Sequence, residues 1–79
     1  MKIKTPAGTI KIKDRDLPTT PWLVVTKNFV VSDRPGRKLM TAMVNDGWTV
    51  ENETKTAFTR ATTVTWKKPN PHFADPTTQ

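Results

Sequence analysis

The chain contains no cysteine, and its one histidine is His72. Disulfide staples are therefore excluded, and so are the zinc sites that draw on paired Cys and His ligands. The carboxylates are scattered and offer no ligand set at a spacing that would hold calcium or another metal. Nucleophilic catalysis fares no better. His72 stands in a proline-rich stretch, and Ser32, the only serine, reads as a helix cap rather than as a member of a Ser/His/Asp triad. With glycine confined to positions 8, 36 and 47, no phosphate-cradling Gly-rich loop can be drawn. Glu51 and Glu53 could formally pair for glycoside chemistry, but on a strand they read as a solvated face. No apolar run approaches the roughly 20 residues that span a bilayer. The opening Met1-Lys2-Ile3-Lys4 alternates charge with apolar residues, unlike the continuous apolar segment of a signal peptide. These absences point to a cytoplasmic, non-enzymatic chain with no cofactor, no metal and no membrane partner.

What is abundant is positive charge. Thirteen Lys and Arg against seven Asp and Glu give a formal charge of +6 on 79 residues. That balance favours an anionic partner, either nucleic acid or an acidic protein surface. It also serves solubility, and a charge of this size lies within the range that does so. A chain this short allows one domain with a modest core, burying only about 60% of the surface its unfolded form exposes.

Local patterns divide the chain. Residues 1–13 alternate Ile3, Ile10 and Ile12 with Lys2, Lys4, Lys11 and Lys13 around Pro6-Ala7-Gly8, which predicts a β-hairpin. Pairing Lys4 with Lys11 and Ile3 with Ile12 keeps each face uniform and leaves Ala7-Gly8 as the loop. Asp14 to Pro21 is a surface linker. Trp22 to Val31 reads as a strand with apolar runs at both ends, hence covered on both faces and central in its sheet. Ser32 or Asp33 as N-cap, Pro35 in the first turn and Gly47 as the stop bound one helix. Its apolar stripe is Leu39, Met40, Met43 and Val44, and Trp48 is placed to fold back on its end. Strands over 48–52 and 58–67 follow, joined by the polar Glu53-Thr54-Lys55-Thr56, with Phe58, Val64 and Trp66 on one parity. The three tryptophans, Trp22, Trp48 and Trp66, are assigned to the core on their parity with valines, although exposed tryptophans could stack bases or anchor a protein contact. Residues 69–79 carry three prolines and no periodicity and read as a disordered tail. The expected fold is α+β: a mixed or antiparallel sheet of about five strands, formed by the hairpin 1–13 and a βαββ unit over 22–68, with one helix packed on one face.

The stretch from Trp22 to Pro69, with its helix reading Leu39-x-x-x-Met43, then Asp46-Gly47-Trp48-x-Val50, and a last strand closing on Trp66-Lys67-Lys68-Pro69, resembles small bacterial and phage βαββ domains of unknown function. Those domains share a Leu-x-x-x-Gly-Trp-Glu-Leu-Val motif and a final strand ending in Phe-Lys-Arg. Here Thr49 stands where that motif prefers glutamate, and the N-terminal hairpin is extra. The resemblance covers about three-fifths of the chain, implies the βαββ fold and carries no activity with it.

Two groups of cations are the candidate binding residues: Lys2, Lys4, Lys11, Lys13 and the following Arg15 on the hairpin, and Arg34, Arg37 and Lys38 in the first half of the helix. Lysines on alternate strand positions suit sequence-independent phosphate contacts. They equally protect an exposed strand edge from aggregation. The helix cations oppose the helix dipole, which prefers acids in the first turn. The sheet face away from the helix needs its own cover, from the hairpin or from a second copy of the chain, which leaves a homodimer open. The alternative to an anionic partner is a protein-interaction module that docks on another protein or on itself.

Overall fold

A computed structural model describes residues 1–74 of the chain, which form five strands, one α-helix and a single 3₁₀ turn (Leu17–Thr19) in a small α+β fold. The strands divide into two antiparallel sheets rather than one. In the first, β1 (Lys2–Thr5) pairs with β2 (Gly8–Lys11). The second contains β3 (Trp22–Phe29), β4 (Thr49–Lys55) and β5 (Thr62–Pro69) in the order β3-β5-β4. The helix α1 (Arg34–Asn45) joins β3 to β4. Both of those strands run antiparallel to β5, so they are parallel to one another with β5 inserted between them.

The hairpin register is Lys2↔Lys11, Ile3↔Ile10, Lys4↔Thr9 and Thr5↔Gly8, which corrects the expected pairing of Lys4 with Lys11. The two registers differ by two residues and therefore keep the same faces, so alternation alone cannot separate them. Turn chemistry does. The Thr5 hydroxyl accepts from the Ala7 N–H at 3.1 Å and donates to the Gly8 carbonyl at 2.7 Å. Gly8, at φ 135°, takes the conformation that would strain Ala7.

Asp33 is the N-cap of α1, its carboxylate accepting from the Gly36 N–H at 2.8 Å. At the other end, Gly47 at φ 89° donates to Val44 O and Trp48 donates to Met43 O, both at 3.0 Å, a Schellman closure. Trp48 then lies buried, with its Nε1–H donating to the Asp46 carboxylate at 2.9 Å. The buried stripe of the helix is Gly36, Leu39, Met40 and Met43; Val44, expected in it, is 62% exposed. Gly36 is buried because the first helical turn rests directly on the Val30 carbonyl.

The core gathers Leu23, Met43, Trp48, Val64 and Trp66, with Ala7 from the hairpin turn. Val64 and Trp66 are fully buried, and the Trp66 ring stacks on Phe29 at 5.8 Å between centroids. Central position thus belongs to β5, and β3 is an edge strand of its sheet, contrary to the expectation from its long apolar run. Leu23 is buried and Val25 and Phe29 pack on the core, while Trp22 and Val24, on the other face, remain 46% and 47% exposed. Trp22 is accordingly not a core residue. The last hairpin also departs from expectation. β4 continues to Lys55 and β5 begins only at Thr62, so Phe58 belongs to the intervening turn and is fully exposed. A bulge between Val50 and Asn52 puts Glu51 out of register, and every residue of β4 is exposed.

Of the segment 69–79, expected as a disordered tail, residues 70–74 are pinned to the linker and 75–79 lie outside the described residues. Asn70, only 6% exposed, donates through Nδ2 to Leu17 O at 2.8 Å and to Thr20 O at 2.7 Å, and its Oδ1 accepts from His72 N–H. Further backbone bonds run from Asn70 N to Pro21 O and from Ala74 N to Pro18 O. Asn70→Ala leaves two carbonyls without their donor and is expected to cost about 2 kcal/mol. Asn70→Asp places carboxylate oxygen against those carbonyls and is expected to cost more. Chemical denaturation of the two variants checks this order; an aspartate variant as stable as wild type would contradict it.

Candidate functional site

The structure sorts the predicted cations into separate groups. On the hairpin, Ile3 and Ile10 turn inward onto the core, which leaves Lys2, Lys4 and Lys11 together on the outer face. Only Lys2 and Lys11 face each other directly; Lys4 stands opposite Thr9. One like-charge pair thus opposes the hairpin, a cost of at most about 1 kcal/mol. Lys2, Lys11 and Lys13 border a shallow cavity of about 400 Å³ with Met1 and Ile12. Arg15 follows in an exposed turn.

On the helix, Arg34, Arg37 and Lys38 share a groove of about 490 Å³ with Thr41, Ala42 and Asn45. The spacing of three and four residues puts them on one exposed face of α1. The two basic groups line different cavities with no residue in common. Among the described residues the one ion pair joins the Met1 amine to Asp14 at 3.2 Å, and no Lys or Arg side chain meets an acid. The lysine and arginine cations of the described residues are therefore held in no direct ion pair. No group of three or more His, Asp or Glu side chains is clustered among the described residues. None of their helices is long and apolar enough to cross a membrane.

Several functional candidates were not visible in the sequence reading. Lys67 lies over the Trp22 ring, its Nζ 4.9 Å from the centroid, on the sheet face away from the helix. On that face the Thr26 and Thr65 hydroxyls bond at 3.0 Å, and Asn28 Nδ2 donates to the Thr56 and Thr63 hydroxyls at 2.9 Å. Lys68 caps the helix end: its Nζ donates to Asp46 O at 2.9 Å and sits over the Trp48 ring at 5.5 Å. Lys55 and Arg60 meet Ser32, Thr59 and Thr62 in a further cleft. The signal for this cleft lay in residues 56–61, where period-2 alternation fails and a turn is the better reading.

Comparison of the chain with protein-family models, with curated proteins and with solved structures found no match.

Proposed function

We propose that this chain is a small non-catalytic binding protein whose partner is anionic, with nucleic acid as the partner its chemistry suits best. The observation that carries the reading is the unneutralised charge: a formal +6, with no Lys or Arg side chain paired to an acid among the described residues. Phosphates would supply the missing counter-charge, through Lys2, Lys4, Lys11, Lys13 and Arg15 on the hairpin and Arg34, Arg37 and Lys38 on the helix. Lys2 opposite Lys11 fits the same view, since a bound anion relieves a repulsion that the free hairpin bears. Backbone contacts of this kind are independent of base sequence.

Replacing Lys2, Lys4, Lys11 and Lys13 together by glutamate tests the proposal. The substitution keeps a like-charge pair at positions 2 and 11, so the hairpin's pairing energy should change little. Affinity for generic DNA or RNA at low salt is expected to fall at least about 100-fold. An unchanged affinity would assign the lysines to edge protection instead.

A second reading rests on Trp22 and Val24, half-exposed on the sheet face that α1 does not cover. A protein partner, or a second copy, docking there would bind with little salt dependence and would lose affinity in Trp22→Ala.

A further inference from the structure

The β4–β5 connection, closed by the Thr56 N–H donating to Ala61 O at 3.1 Å, holds two features that the fold itself does not require. Phe58 is fully exposed and is the one non-glycine residue with positive φ among those described, at 64°. An aromatic side chain there bears left-handed strain and gains no burial in return. Beside it lies a cleft of about 390 Å³ between this turn and the loop leading into α1, lined by Val31, Ser32, Lys55, Thr59, Arg60 and Thr62. Its polar side chains are two cations and three hydroxyls, with no acid among them. Lys55, Arg60 and the Ser32 and Thr62 hydroxyls are donors that suit a phosphate oxygen, and the arginine can contact it in bidentate fashion, whereas the Thr59 hydroxyl donates within the turn to Thr56 O.

We infer that this end of the sheet is a nucleotide clamp for single-stranded nucleic acid. Phe58 stacks on one unpaired base, and the adjoining phosphate enters the cleft between Lys55 and Arg60. An unpaired strand is required because a base in a duplex already has both faces stacked and offers none to the Phe58 ring. The inference rests on the nucleic-acid reading above but uses residues outside the hairpin and helix groups, so the two can fail separately.

The test compares Phe58→Gly, Phe58→Trp and the Lys55→Gln/Arg60→Gln pair with wild type, using single-stranded oligonucleotide and the matching duplex as probes. Glycine accepts the positive φ, so Phe58→Gly should leave the melting temperature unchanged or raised while affinity for the single strand falls about tenfold and duplex affinity stays put. Phe58→Trp should retain single-strand binding. The double glutamine variant should weaken single-strand binding and lower its salt slope by about 1.4. Equal single-strand affinity in Phe58→Gly and wild type would overturn the clamp while leaving the hairpin reading intact if the four-lysine variant still loses binding. A lowered melting temperature with unchanged affinity would also overturn it, by assigning Phe58 a purely structural role. Wild type that binds neither probe would overturn both.

Discussion

Gly36→Ala is expected to destabilise the domain by about 3 kcal/mol or more, although alanine is the better helix former. Helix propensity alone favours the substitution by up to about 1 kcal/mol. Packing decides against it. A Cβ at position 36 would collide with Val30 O and stand 2.9 Å from both Val30 C and Val31 Cα. All three are backbone atoms, so no side-chain rotation relieves the clash. The first turn of α1 must instead lift away from the end of β3, which separates Leu39, Met40 and Met43 from the sheet beneath them. A domain of this size has a total stability of about 4–12 kcal/mol, so the loss is a large share of it. Val44→Ala, on the exposed side of the same helix, serves as the control and should stay within about 0.5 kcal/mol of wild type. Urea denaturation monitored by circular dichroism measures both; a Gly36→Ala midpoint equal to wild type would show that the helix does not seat on Val30.

Trp66→Ala should be comparably damaging. Trp66 is fully buried on the central strand, stacked on Phe29 with rings 14° from parallel. Truncating such a side chain costs about 3–5 kcal/mol in lost transfer energy and residual cavity. One contribution runs the other way: the Trp66 Nε1–H is buried without a protein partner, and its removal returns about 1 kcal/mol. The net loss of about 3 kcal/mol corresponds to a fall in melting temperature of roughly 12–24 °C for a domain of this length. Trp66→Phe separates the two contributions. It keeps a ring against Phe29 and deletes the orphan donor, and should therefore cost clearly less than the alanine variant. Thermal unfolding that ranks phenylalanine as badly as alanine would mean that ring stacking contributes little to the core.

Much of the architecture was legible because local chemistry and tertiary packing agree. The helix is the clearest instance: Asp33 caps it, Gly47 stops it, and Trp48 folds back as the Gly-Trp sequence suggested. What the sequence could not disclose was competition between elements with similar patterns. β3 carries the longer apolar run, yet the threonine-rich β5 takes the centre, because two strands can pair with it at once while Val64 and Trp66 fill the space under the helix. The surplus apolar residues of β3, Trp22 and Val24, stay half-exposed, with Lys67 over the Trp22 ring as partial cover. The hairpin register failed for a different reason: a two-residue slip preserves every face, and only the Thr5 side-chain bonds and the conformation of Gly8 break the tie.

The candidate site divides in the same way. Lys2, Lys4 and Lys11 were placed on one face by alternation alone, and Arg34, Arg37 and Lys38 by helical spacing. Lys55 and Arg60 were missed because the connection was placed at 53–56 and Phe58 in a strand, whereas the turn that brings them beside Ser32 spans 56–61. Asn70 was missed because a proline-rich segment without periodicity gives no sign that one amide will bond two carbonyls some fifty residues earlier.

The salt dependence of nucleic-acid binding tests the proposed function most directly. Wild-type protein titrated with a generic DNA or RNA should bind at about 50 mM salt, and its affinity should fall about 50-fold for a single strand and about 150-fold for a duplex by about 200 mM if four lysines each engage a phosphate. No binding at the lower salt, or an affinity indifferent to salt, would contradict an anionic partner and turn attention to the Trp22 face as a protein-docking surface.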